Sequence, residues 1–270
     1  MATKKDTSVL ELDRTAEGQP PPVAEQPAET PKLILTMGRG RIGKSTFVRW
    51  AAERAMLGGG LPVIADADRT NATLSAFFEN VTSPPSPADD DVRQWLGDLV
   101  ERQIEQRFTA FLDLGGGDQV LKVWSRELDL APFLEKYDIT PVALHFLGCE
   151  IDDLSYLRDI EAVSGFRPKH TLLILNEGMV PTGRVARTAF EPIIANPVFR
   201  ATLERGARVA SMPRLACMHE VENRRLSFAD AEANLVREGQ GKIGPINRQL
   251  ISRWREEMET SFAAVDAWIR

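Results

Sequence analysis

The chain has 270 residues, 43% hydrophobic and 27% charged, with a net charge of −6 and a pI near 5.3. This composition belongs to globular proteins and excludes fibrous and disulfide-stapled classes, and the acidic balance argues against bulk affinity for nucleic acid, which needs a basic face. Cys149 and Cys217 lack metal-ligand spacing and are expected as free thiols, residues 1–13 hold no apolar signal-peptide core, and no apolar run reaches the length of a membrane span, so a cytoplasmic protein with no membrane partner is expected.

Residues 1–31 carry Pro20, Pro21, Pro22, Pro27 and Pro31 among Glu, Gln, Ala and Thr. So few large apolar side chains cannot offset the entropy of ordering, and a disordered tail is expected there. From residue 32 onward, apolar runs alternate with helix-period segments. Strands are predicted at 32–37, 61–65, 108–112, 141–146, 171–175 and 207–211. Helices are predicted at 44–57, 72–78, 91–106, 120–135, 152–164, 184–195, 197–204 and 228–236. The stretch 80–91, with Pro84, Pro85 and Pro87 before Asp89, Asp90 and Asp91, predicts a surface loop. A final amphipathic helix is predicted over 246–270, with Ile246, Leu250, Trp254, Met258, Phe262, Val265 and Ile269 on one stripe. It is expected to pack on a nucleotide-binding domain spanning 32–245. Strand and helix in steady alternation predict an α/β fold: a doubly wound, mostly parallel sheet with helices on both faces. Ligands of such sheets bind at the carboxyl ends of the strands.

One motif falls at that end. Gly38-Arg39-Gly40-Arg41-Ile42-Gly43-Lys44-Ser45 satisfies G-x-x-x-x-G-K-[ST], follows the first strand and opens the first helix, the context a P-loop requires. Glycines turn backbone N–H groups onto phosphate oxygens, and the helix N-terminus adds its dipole. Gly38 through Thr46 therefore form the expected phosphate cradle. Lys44 reaches the β- and γ-phosphates, and the Ser45 hydroxyl is a hard ligand suited to Mg²⁺. A chance glycine-rich turn is the alternative.

Three acids narrow the chemistry. Asp113 closes the predicted strand 108–112 before Gly115, Gly116 and Gly117, which suits a Walker B acid supporting Mg²⁺; the plain alternative is a turn-starting Asp. Asp66 and Asp68 follow the strand 61–65, and alternation places both on one face. They could arrange metal-bound and attacking water, or with Thr70 and Asn71 they could form a helix N-cap.

The order of these motifs, with Asn176 closing a later strand, resembles the ParA/MinD family of P-loop ATPases, in its plasmid partition and conjugal-transfer branch. The resemblance covers 32–236 as motif order and rests on four short motifs. The family P-loop runs K-G-G-x-G-K-[ST]; here the segment is Arg39-Gly40-Arg41-Ile42-Gly43-Lys44-Ser45. Arg39 stands where the family places a signature lysine that contacts nucleotide across a dimer interface, so the resemblance implies a catalytic role for Arg39 in trans. Arg41 replaces a glycine, and its side chain is expected to point away from the phosphates. By the same resemblance Asp66 lies near Mg²⁺, Asp68 positions the water, Asn176 reads the base, and Pro213 belongs to a loop that stacks on the base. The glycines after Asp113 match a γ-phosphate switch.

The resemblance implies an ATP-dependent switch with slow Mg²⁺-dependent hydrolysis, ATP and Mg²⁺ as cofactors, a homodimer with ATP, and a protein partner. Alternatives are a non-hydrolysing nucleotide-binding assembly factor and a small-molecule kinase or ligase on the same fold. Glu177 and Gly178 follow Asn176, not the guanine-reading Asn-Lys-x-Asp, which favours ATP over GTP. The final helix balances Arg248, Arg253, Arg255 and Arg270 against Glu256, Glu257, Glu259 and Asp266, giving no basic excess for anionic lipid. Non-specific DNA contact, if any, would use Arg200, Arg205, Arg208, Arg214, Arg224, Arg225, Arg237 and Lys242.

Overall fold

The computed structural model describes residues 30–68, 73–115, 119–163 and 165–270. The expected tail through Glu29, the N-cap candidates Thr70 and Asn71, and the expected switch residues Gly116, Gly117 and Asp118 lie outside the described residues. Among the described residues seven strands form one sheet: β1 (Lys32–Met37), β2 (Val63–Ala67), β3 (Val81–Thr82), β4 (Ala110–Leu114), β5 (Thr140–Leu147), β6 (His170–Asn176) and β7 (Arg208–Met212). Their order is β3-β2-β4-β1-β5-β6-β7 and every pair is parallel. This is the expected doubly wound α/β fold. All six residues of β1 are buried, as a strand covered on both faces requires.

The helices are α1 (Lys44–Leu57), α2 (Asp89–Gln106), α3 (Gln119–Leu128), α4 (Leu130–Lys136), α5 (Asp153–Arg158), α6 (Ala186–Ala189), α7 (Glu191–Ala195), α8 (Pro197–Glu204), α9 (Met218–Arg224), α10 (Phe228–Ala233), α11 (Pro245–Phe262) and α12 (Asp266–Ile269). One face of the sheet, with Ile34, Phe111, Leu144 and Ile174, packs on α1, α10 and α11. The opposite face carries Leu33, Leu35, Leu112 and Ala143 against α2, α3 and α4. A third cluster places Leu147, Leu173 and Leu175 against Leu154 and Leu157 of α5 and Phe199 of α8.

The elements differ from the sequence expectation in instructive places. β2 and β4 both lie two residues beyond the predicted runs, because Leu61 is 89% exposed and the ladder opens with Val63 N–H donating to Thr109 O at 2.9 Å. Asp66 and Asp113 are therefore inside strands. The predicted helix 120–135 breaks at Asp129, which turns left-handed with φ 50. Among the described residues, the segment predicted as helix 72–78 holds the 3₁₀ turn Leu74–Ala76 and no α-helix, and α5 passes into a π turn over Asp159–Val163. Helix 184–195 is two short helices, with Pro192 in the first turn of the second. The loop expected at 80–91 includes the edge strand β3, and α9 was not foreseen.

The final stretch also departs from one continuous helix. α11 ends at Phe262, a 3₁₀ turn spans Ala263–Val265, and α12 follows. Trp254, Met258, Phe262, Val265 and Ile269 are buried as the stripe required, but Ile246 is 76% exposed and Ile251 is buried in place of Leu250. Phe262 packs on α1, its ring 5.0 Å from that of Phe47 and 5.3 Å from that of Trp50.

Candidate nucleotide-binding site

In this strand order the chain leaves β1 toward β2 on one side and later fills β5 on the other. The carboxyl end of β1 is therefore a topological switch point, where open sheets leave a crevice. The loop from Gly38 to Gly43 occupies it. Gly38 has φ 142, and a Cβ there would meet Phe146 O at 2.8 Å. Gly43 has φ 98, and its added Cβ would lie 2.5 Å from Asn176 Nδ2. Backbone sterics thus demand glycine at both positions. Arg41 carries the left-handed φ 61 between them. Gly43 caps α1 without a side-chain hydrogen bond, so the first N–H groups of α1 keep their capacity for an anion.

Lys44 is buried beneath the loop, its Nζ donating to Gly38 O at 3.2 Å and Arg39 O at 3.0 Å. Burial lowers its pKa, and the carboxylates of Asp113 and Asp68 oppose that shift. Register aligns Thr36 with Asp113 and Asp113 with Asp66, a polar row across three adjacent strands. Asp113 accepts from Thr36 Oγ1 at 2.7 Å and from Ser45 Oγ at 2.5 Å. Its pKa is raised by burial, and the two hydroxyl donors pull it back.

Asp66, expected near the metal, faces backbone. It accepts from Asp68 N–H at 3.1 Å and from Leu74 N–H at 3.2 Å. Burial pushes its carboxyl up to about 6 despite those two amides. Asp68 reaches the cleft. A cavity of about 340 Å³ is lined by Arg41 and residues 43–46 on one side, by Asp68 and Thr73 on a second, and by Glu222 of α9 on a third. Glu222 was missed because α9 carries no motif and packs here only through the tertiary fold.

Asn176 is buried, with Nδ2 donating to Ile42 O at 2.8 Å and Oδ1 accepting from Gly178 N–H at 2.8 Å. It braces the phosphate loop; contact with a base would use its remaining N–H. Pro213, which follows Met212, the register partner of Asn176, is buried, its carbonyl accepting from Trp254 Nε1 at 2.8 Å. Gly40 is exposed with open space around it. Arg39 forms an ion pair through Nε with Asp153 Oδ1, whose other oxygen accepts from Gly148 N–H at 2.9 Å. The residue expected to act in trans is thus engaged within its own chain.

A larger cleft of about 700 Å³ lies at the amino ends of β2 and β4, lined by Arg54, Leu61, Arg107 and Arg270 among others. It lies away from the switch point and has no phosphate loop, so the smaller cleft is the candidate site.

Among the described residues, no cluster of three His, Cys, Asp or Glu side chains forms a metal cage. One hydroxyl backed by one carboxylate instead fits Mg²⁺, which keeps its waters and shares substrate phosphates. No helix among the described residues is long and apolar enough to cross a membrane.

The chain matches no protein-family model and no curated protein. Among solved structures it is similar to the MinD cell division protein of Aquifex aeolicus, at 13% identity over 84% of this chain and 97% of that one, with a TM-score of 0.47. It is also similar to chloroplast FtsY from Physcomitrella patens, at 21% identity over 67% of this chain and 58% of that one, TM-score 0.43. Signal recognition particle 54 kDa protein from Aeropyrum pernix K1, in complex with GDP, is 15% identical over 89% of this chain and 50% of that one, TM-score 0.40. The chain spans 58% and 50% of the length of the last two. These likenesses assign no activity to it.

Proposed function

We propose that this chain is an ATP-dependent molecular switch that hydrolyses ATP slowly with Mg²⁺ and dimerises under nucleotide control. The observation that carries the reading is the group Lys44, Ser45 and Asp113 on the phosphate loop at the sheet's switch point. Lys44 exchanges two loop carbonyls for the β- and γ-phosphates, and the N–H groups of α1 hold the phosphate oxygens. Bound Mg²⁺ would be held by Ser45 and, through water, by Asp113, neutralising charge that develops on the phosphates. Asp68 orients the attacking water from the cleft wall. The bond from the γ-phosphorus to the bridging oxygen breaks as that water adds.

Arg39 contributes to dimerisation by leaving Asp153 for phosphate on a second copy, where a guanidinium fork suits the ligand. Plasmid partition or conjugal transfer and a protein partner follow from the motif resemblance, and a cytoplasmic setting from the free cysteines and the want of an apolar leader or span in the sequence. Non-specific DNA contact has a narrower base than the sequence offers, because Arg205 and Arg224 are ion-paired and Arg208 donates to Ala264 O.

The test is light scattering with ATP, ADP and no nucleotide beside phosphate release, for wild type, Lys44→Ala and Arg39→Ala. We expect a dimer with ATP alone, lost in both variants, and no turnover in Lys44→Ala. Parental hydrolysis by Lys44→Ala would sink the proposal. The engagement of Arg39 by Asp153 favours one second reading, a non-hydrolysing nucleotide-binding assembly factor. Tight ATP binding by a monomer without turnover would select it.

A further inference from the structure

Arg49 lies one helical turn beyond Ser45 on α1, is 2% exposed, and takes no part in the chemistry above. Its guanidinium carbon sits 3.4 Å from the Phe77 ring centroid and 4.7 Å from that of Phe228. Its Nη2 donates to Leu226 O at 3.2 Å. Each partner leads to a wall of the nucleotide cleft. On one side, Phe77 N–H donates to Leu74 O at 2.9 Å, Leu74 N–H donates to Asp66, and the neighbouring Thr73 lines the cleft. On the other, Leu226 N–H donates to Val221 O at 3.2 Å, and the neighbouring Glu222 lines the cleft.

We infer that Arg49 is a positioning residue that sets the width of the nucleotide cleft, stapling the Thr73 wall and the Glu222 wall to the underside of α1. The inference rests on reading this cleft as the nucleotide site. A planar guanidinium does this because one face stacks on Phe77 while its edge donates to a carbonyl; an ammonium has no face to stack. A merely space-filling apolar residue would not need both contacts. Glu53, one turn further along α1, accepts from Phe228 N–H at 2.7 Å and holds the same junction from below. Both walls therefore converge on α1, whose first turn carries the phosphate cradle. Contacts made by nucleotide at Ser45 and those made by the walls share one rigid body.

The experiment is amide hydrogen exchange on the full chain, without nucleotide, for wild type, Arg49→Lys and Arg49→Met, followed by titration with a fluorescent ATP analogue. We expect exchange at Leu74, Phe77 and Leu226 to speed about tenfold or more in both variants, with Ile34 and Leu35 of β1 keeping wild-type protection, as for a local opening. Affinity for the analogue should fall by roughly five- to tenfold, a coupling of ordinary size. Unchanged exchange at either wall would overturn the inference. So would loosening that reaches β1 equally, because Arg49 would then only hold the core. If the wild type binds no nucleotide, the proposed function fails, while the exchange data still decide whether Arg49 staples the walls.

Discussion

At Gly43 a single hydrogen faces the Asn176 amide, and the whole phosphate loop depends on that fit. Gly43→Ala adds both the clash and the strain of φ 98, so ATP affinity should fall about tenfold or more by calorimetric titration. Adding Asn176→Ala relieves the clash but also removes the brace on Ile42 O, so the double variant should remain weaker than wild type. His145 is buried in β5 with no hydrogen-bond partner for either ring nitrogen among the described residues, and burial, with Arg205 adding to it, lowers its pKa to about 3. The unfolded chain takes up a proton below the ordinary value of 6.5 that the folded chain refuses until about 3, so stability is full above that window and falls as pH drops through it. His145→Leu should remove that slope, gaining about 2 kcal/mol over wild type between pH 7 and pH 5 in urea unfolding.

Among the elements, those whose ends coincide with strong local signals were legible. β1, α1 and α8 begin and end where hydrophobic pattern, Gly and Pro place them. Elements whose ends depend on partners were not. β2 and β4 start where the neighbouring ladder begins, and apolar Leu61 lies outside it, left exposed among the described residues. α11 shows the same split within one helix. Periodicity marked its stripe, but the sheet covers only the part from Ile251 onward. Phe262→Ala should cost about 3–5 kcal/mol by denaturant unfolding, whereas Ile246→Ser should stay within about 0.5 kcal/mol.

The whole molecule joins groups far apart in sequence. Ser45 meets Asp113 across 68 residues and Asn176 meets Ile42 across 134. At this scale the ion pair of Arg39 with Asp153 is the contact that a nucleotide-driven dimer must exchange. Asp153→Asn keeps an oxygen for Gly148 N–H but removes the charge, so the ATP-bound dimer should appear at lower protein concentration in light scattering, with the ADP state still monomeric. An unchanged concentration dependence would show that the pair does not restrain Arg39. Sequence alone determined the alternating α/β fold and marked the glycine loop with Lys44, Ser45, Asp68 and Asp113, which the fold brings to one cleft, because hydrophobic period, glycine conformation and motif spacing are local properties of the chain. Only the tertiary structure decided that Asp66 caps backbone amides, that Asn176 braces the loop, that Asp153 holds Arg39, that Glu222 lines the cleft, and that Arg49 packs on Phe77 and Phe228. Those contacts depend on strand order and on which helix lies beside which, and no short stretch of sequence carries that information.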